Sequence, residues 1–368
     1  MADLCDVIVV GGGPAGLAAA ICARKKGLQV TVADVGVPPI DKACAEGLLP
    51  DALEALERIG IAPESLGGWP VDGVRFFNPD TAAEAKFPGR RGMGVRRTRL
   101  HEMMLAHAAA CGVNFLWRTG VSVLSAAGVY VGDRLFRARW VIGADGGESK
   151  VRQWAGLDRG MRASKRIGYR RHYRIRPWSR SLEIYWGREA QCYVTPIGPD
   201  EVCVAVVSDD PRTRLESALA EFPALAARLA GVEAATAERG SFTATRRLKR
   251  VWRGRVAMIG DASGGVDAIT AEGLSLAFRQ APALAEALAS GDLSKYETAH
   301  RRILRRPTLM VRLMLLLGRH PRLQRRITRI FAEKPHMFER FVAAHVGMAS
   351  DPNLAASTVL LGWHMLSA

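Results

Sequence analysis

The chain opens with two hydrophobic periods in succession. Asp6–Val10 (DVIVV) is an apolar run with no polar alternation, the pattern of a strand buried on both faces. Leu17–Lys26 is alanine-rich, turns basic at its end and meets Gly27, which predicts a helix closed by a glycine. Leu28–Ala33 predicts a second buried strand. Two later stretches repeat the apolar-run-into-glycine pattern: WVIGADGGESKVRQWAGL at 140–157 and RVAMIGDASGGVDAITAEGLSLAFRQA at 255–281.

Between 166 and 208 the period changes to two. Ile167, Tyr169, Arg171, Tyr173 and Ile175 fall on one face of a strand. LEIYWG, QCYVTPIG and EVCVAVV follow, with GREA and GPDE as turns, predicting an antiparallel meander. From residue 300 the pattern is helical, rich in Arg and Leu, with no acid before Glu333. Its most apolar part, Leu309–Leu317, is interrupted by Arg312 and falls far short of the roughly 20 residues that span a bilayer.

The expected fold is therefore α/β. A parallel, Rossmann-type nucleotide-binding domain is assembled from 1–75, 95–165 and 250–285. An antiparallel β-sheet lobe is built from 76–94 and 166–249, and 286–368 forms a helical C-terminal region. The length of 368 residues suffices for this, and mean hydropathy of +0.02 fits a globular core. Lys and Arg outnumber Asp and Glu by 52 to 36, a net charge of +16, which points to an anionic partner. The basic residues of the tail are mixed with aliphatics, and no nucleic-acid-binding signature is present, so an anionic membrane surface fits them better than nucleic acid. Cys5, Cys22, Cys44, Cys111, Cys192 and Cys203 form no CxxC pair and no zinc-type spacing, so no metal is expected. MADLCDVIVV lacks the basic start and cleavage site of a signal peptide, so a cytoplasmic protein is the expectation, with a tail that suits either a lid packed over an apolar tunnel or peripheral contact with an anionic membrane.

The candidate chemistry begins at Gly11-Gly12-Gly13-Pro14-Ala15-Gly16. Gly11 permits a tight turn, Gly13 lets the backbone approach a pyrophosphate, and Gly16 lets helix and strand pack closely. The helix N-terminus offers free N–H groups, and Asp34 stands where an acid bonds a ribose diol. This is a dinucleotide site. The later Gly-Ala-Asp-Gly at 143–146 and Gly260-Asp261 indicate FAD: Asp261 is placed for the ribityl chain, and a helix starting near Ala271–Gly273 for the electron-rich edge of the ring.

Here the sequence resembles the flavoprotein superfamily of para-hydroxybenzoate hydroxylase. GGGPAG, GADGGESKVR and IGDASG stand in the order of its three FAD motifs, and Arg97 matches the arginine opening its middle helix. KACAEGL (42–48) and DAITAEGLSLA (267–277) are most similar to its geranylgeranyl reductase branch, with Ala45 and Ala271 where that branch carries glycine. The resemblance implies FAD held by Gly11, Gly13, Pro14, Ala15, Gly16, Asp34, Cys44, Ala45, Arg97, Asp145, Gly260, Asp261, Gly265, Ala271, Gly273 and Leu274. It implies Cys44 at the active-site face, with Glu46 and Gly47 shaping its loop. It implies a sheet roofing the substrate, with Tyr185, Trp186, Tyr193 and Thr195 as candidate substrate contacts and Cys44 and Tyr193 as candidate catalytic groups. QCYVTPIG lacks the branch's Tyr-x-Trp-x-Phe-Pro. His172, alone on a strand, reads as structural, and Arg170, Arg171, Arg174 and Arg176 as a solvated face.

The first functional expectation is an NAD(P)H-dependent monooxygenase that hydroxylates a lipophilic aromatic or polyketide-like molecule through an oxygen adduct at flavin C4a. The second is a reductase saturating isoprenoid alkenes. The third is a halogenase, for which Lys86 is the candidate lysine.

Overall fold

The computed structural model describes residues 4–79, 81–158 and 162–348. The strand Leu4–Val10 lies in the middle of an eight-stranded sheet. It pairs in parallel with Val30–Ala33 on one side and with Arg134–Gly143 on the other. Asn114–Leu116 and Val256–Met258 extend the parallel array outward. Alternation then divides the core. Val7 and Val9 face the helices Pro14–Lys25 and Gly273–Ser290, while Ile8 and Val10 face Val129, Phe136, Val141 and Met258 on the opposite side. All of Val7, Ile8 and Val9 are fully buried, which is why the run shows no polar alternation.

The predicted boundaries shift by a few residues. The first helix starts at Pro14 rather than Leu17, because Gly13 caps it and proline suits its first turn. The next strand starts at Val30 rather than Leu28, because Leu28 N–H still bonds the Ala23 carbonyl of the ending helix.

A seven-stranded sheet forms the second lobe: Gly73–Asn78, Thr81–Lys86, Arg162–Tyr173, Ser181–Trp186, Ala190–Gly198, Glu201–Ser208 and Arg239–Arg247. The last three strands of the predicted meander pair in succession. The first, Arg162–Tyr173, crosses over to lie between Glu201–Ser208 and Arg239–Arg247. It ends at Tyr173, so Ile175 does not continue its face: Ile175 N–H turns back to the Tyr173 carbonyl. One face of the sheet carries Cys192, Val194, Val204 and Val206 under two short helices. The other carries Phe76, Ile184, Trp186, Tyr193 and Ala205.

That second face is closed by three C-terminal helices, Leu293–Arg319, Pro321–Glu333 and Pro335–His345. The apolar piece ASTVLLGWHML lies outside the described residues. No helix among the described residues is long and apolar enough to cross a membrane.

Ala271 adopts φ +56°, in the left-handed region that costs an L-residue about 1–2 kcal/mol. Ala271→Gly is expected to raise stability by about 0.5–1 kcal/mol, the relief being partly offset by the greater freedom of glycine in the unfolded chain. Thermal unfolding of the apoprotein checks this; a lower melting temperature would mean that packing of the methyl outweighs the backbone relief.

Candidate FAD and substrate site

The two sheets face each other across a cavity of about 840 Å³, a size suited to a large organic cofactor. Gly11, Gly13, Pro14 and Ala15 line one end, at the N-terminus of helix Pro14–Lys25. Asp34, Cys44, Ala45, Arg97, Asp145, Gly260, Asp261, Gly265, Ala271, Gly273 and Leu274 line it as well. Gly16 does not. It packs beneath the turn, where a Cβ would lie 1.9 Å from the Gly11 carbonyl oxygen.

The residues present fit FAD. A Cβ on Gly13, Gly265 or Gly273 would meet nothing within 4 Å, so at these cavity-lining positions the backbone is bare toward a ligand. Asp145 caps the helix Lys150–Trp154 through Oδ2, with Lys150 N–H at 2.7 Å and Val151 N–H at 3.1 Å, yet its buried Oδ1 has no partner. The buried Nε of Arg97 is likewise unpartnered. Buried polar atoms left bare cost free energy, and a bound polar ligand supplies what they lack. Asp34 accepts N–H bonds from Gly12 and Gly36, both 2.6 Å, which fixes its carboxylate at the strand end. Arg152 ties the second motif to the third. Its guanidinium donates to the carbonyls of Gly147 at 2.9 Å and Ala262 at 3.2 Å.

Asp261 lies half-exposed at the cavity, with Lys42 Nζ 3.3 Å from Oδ2. Asp261→Ala is expected to purify largely free of flavin, because a ligand contact disappears while little of the fold depends on this exposed side chain. The ratio of flavin to protein absorbance measures it; a full complement of FAD would remove Asp261 from the cofactor set.

Cys44 is half-buried on the cavity wall. Its sulfur accepts the Glu46 N–H at 3.3 Å, and its carbonyl accepts the Cys203 thiol at 3.6 Å. Glu46 carries more of the local architecture than a loop-shaping role implies. It sits at φ +61° with its side chain 1% exposed. Backbone held in this region by its surroundings is a signature of functional sites. Oε1 accepts the Arg97 N–H at 3.0 Å, and Oε2 lies 2.7 Å from His172 Nε2. Arg170 Nη1 lies 3.1 Å from His172 Nδ1. A guanidinium only donates, so Nδ1 accepts and Nε2–H donates to Glu46. His172 is thus one member of a buried Glu46–His172–Arg170 chain, and Arg170 (1% exposed) lines the cavity instead of facing solvent. Sequence reading missed this grouping, since Glu46 and His172 lie 126 positions apart. Glu46, His172 and Cys203 also bring potential ligand atoms within 4.8 Å of one another. Their mutual hydrogen bond and the adjacent Arg170 make the spot unfavourable for a cation.

The roof residues divide by strand period. Tyr193 lines the cavity; its hydroxyl donates to the Ile269 carbonyl at 3.0 Å, and burial pushes its pKa up. Tyr185 points to the opposite face, stacked on Phe77 with its hydroxyl on Glu183 Oε2 at 2.6 Å, so it does not meet the cavity. Trp186 shares the face of Tyr193 but packs edge-on to Phe76, beyond the cavity. Thr195 is wholly buried beside Gly47 and Gly94 and does not line it either. Lys86 is exposed at the end of the sheet's edge strand, away from the cavity; the lysines that line it are Lys42 and Lys150.

A family whose description is "FAD binding domain" matches residues 4–305. The chain belongs to this family. That family is one of FAD-dependent oxidoreductases, and membership supports FAD as the cofactor. Among curated relatives, a digeranylgeranylglycerophospholipid reductase of Methanothrix thermoacetophila is 34% identical over 175 residues, 43% of each chain. The menaquinone reductase of Mycolicibacterium smegmatis is 37% identical over 120 residues, 32% of this chain and 29% of its own length. The chain spans less than half the length of these curated reductases. Among solved structures, a flavoprotein/dehydrogenase of Cytophaga hutchinsonii superposes with a TM-score of 0.84 at 19% identity, covering 98% of this chain and 99% of the other. At that identity the likeness speaks for the fold.

Proposed function

We propose that the chain is an FAD-dependent monooxygenase that hydroxylates a lipophilic small molecule bearing an aromatic or polyketide-like ring, with NAD(P)H as reductant. The observation that carries this reading is the shape of the space beside the cofactor residues. At Ala271 the cavity meets a second cleft whose lining is almost wholly apolar: Val74, Phe76, Leu182, Ile184, Met310, Met314 and Phe341 among others. A molecule with a functionalised ring and an apolar extension matches a wide chamber of mixed polar and apolar lining joined to a narrow greasy cleft.

Bound FAD supplies electron transfer to oxygen and insertion of one oxygen atom into the substrate. The chain's own residues supply the setting. Tyr193, Ala205 and Val207 roof the cavity and exclude water. Glu46, held by Arg97 N–H and His172, presents a fixed carboxylate for orienting or deprotonating a ring hydroxyl. Reducing the holoprotein without oxygen and mixing it with aerated buffer plus a long-chain phenol tests the reading. A transient spectrum distinct from both reduced and oxidised flavin, followed by hydroxylated product, is expected. Direct return to oxidised flavin with the phenol unchanged counts against it.

A second reading is favoured by the Cys44–Gly47 segment on the cavity wall and by the reductase names of the curated relatives. It is saturation of an isoprenoid alkene, which would appear as anaerobic reoxidation of the reduced protein by a prenyl lipid.

A further inference from the structure

The outer face of the helix Leu293–Arg319 has a pattern that neither the cavity nor the fold uses. Arg302, Arg305, Leu309, Arg312, Leu316 and Arg319 recur at spacings of three and four and are all exposed, so they form one stripe. Leu309 is 59% and Leu316 46% exposed, two of the few large apolar side chains in water among the described residues. The next helix, Pro321–Glu333, repeats the device with exposed Arg322, Arg325 and Arg329. No acidic residue lies between Glu297 and Glu333 to balance this charge. The opposite face of the first helix turns Met310 and Met314 into the apolar cleft that joins the cavity.

We propose that this stripe docks the protein on an anionic phospholipid bilayer. Guanidinium groups every turn match a plane of phosphates, and Leu309 and Leu316 stand between them at the depth of the acyl boundary. One helix then has its outer face on the lipid and its inner face on the cleft, so a lipophilic molecule passes from membrane to cavity around that helix without crossing bulk water. The docking surface does not depend on which reaction the cavity performs.

The test is co-sedimentation of the FAD-loaded full chain with vesicles. One set is phosphatidylcholine alone and the other is phosphatidylcholine mixed with phosphatidylglycerol, at about 0.05 M and about 0.5 M salt. Binding is expected only to the anionic vesicles and only at the lower salt. R305Q/R312Q/R319Q should bind about a hundredfold more weakly, from roughly 1 kcal/mol per cation near such a surface, while R305K/R312K/R319K should bind as wild type. L309S/L316S should weaken binding about tenfold or more, since each leucine leaves the acyl boundary. All three variants should keep their FAD, because the changed positions are exposed. Equal binding to uncharged vesicles overturns the proposal, as does full binding by the glutamine variant. So does salt-sensitive binding that heparin abolishes while the leucine changes leave it intact, which would mark a polyanion site instead of a bilayer site. Neither substrate nor turnover enters, so failure here leaves the hydroxylase reading standing.

Discussion

Gly16→Ala is expected to give protein that retains almost no FAD and unfolds at a markedly lower temperature. The added Cβ would sit 1.9 Å from the Gly11 carbonyl oxygen and 3.1 Å from its carbon. Both are backbone atoms, so no side chain can swing aside. Relief requires the helix Pro14–Lys25 to lift from the strand Leu4–Val10, and overpacking of this kind costs about 1–3 kcal/mol or more. The same movement displaces the helix N-terminus and the Gly13 backbone that line the cavity, so affinity for the cofactor falls together with stability. Flavin absorbance after gel filtration, with a thermal melt of apo and FAD-supplemented protein, measures both. Stoichiometric FAD in the variant would show that the turn is looser than the structure has it.

Asp267→Ala is the second large effect. Asp267 is 1% exposed and Arg166 9% exposed, with Nη1 to Oδ1 at 3.2 Å. The pair joins the roof sheet to the loop that carries Gly260, Asp261 and Gly265. Burial pushes the Asp267 carboxyl above the usual range even though Arg166 pulls it down, so desolvation is the dominant cost of holding it there. Removing it strands a largely buried guanidinium and also loses the cap on Ile269 N–H at 3.0 Å. Breaking one side of a buried pair costs about 3–5 kcal/mol, and the lower end is expected because Asp209 remains 2.8 Å from Arg166 Nε. Asp267→Asn keeps the cap and should lose less. Urea unfolding of the three proteins gives the order; an alanine variant within about 1 kcal/mol of wild type would mean that water reaches Arg166 freely.

The parts of the fold most legible in sequence were those set by local periodicity. The unbroken run Asp6–Val10 and its glycine turn announced a strand with no solvent face, and the structure places it at the sheet centre with Val7 and Val9 on one side and Ile8 on the other. The period-two stretches announced strands but not which face looks inward. Tyr185 and Trp186 are neighbours in sequence, so only one can share the face of Tyr193, and nothing local says which. The Glu46–His172–Arg170 chain was invisible for another reason. Its members are unremarkable alone, and only the crossover that leaves two strands between Arg162–Tyr173 and Ser181–Trp186 brings His172 over the Cys44 loop. Ala271 was marked by departure from a family pattern, and its positive φ supplies the physical content of that departure.

The place of Leu4–Val10 in the sheet has a consequence for how the chain is made. Ribosomes deliver the N-terminus first, so the strand Leu4–Val10 and its glycine turn exist long before their far neighbours. Arg134–Gly143 pairs on one side with Leu4–Val10 and on the other with Val256–Met258. Until the later segment emerges, an apolar strand edge stays open to wrong partners. The crevice for the cofactor closes only when Gly260–Gly273 has left the exit tunnel, about 250 residues after the glycine turn that opens it. Flavin capture is therefore a late event in the life of each molecule, and shielding that edge during the wait is a requirement the topology imposes on the cell.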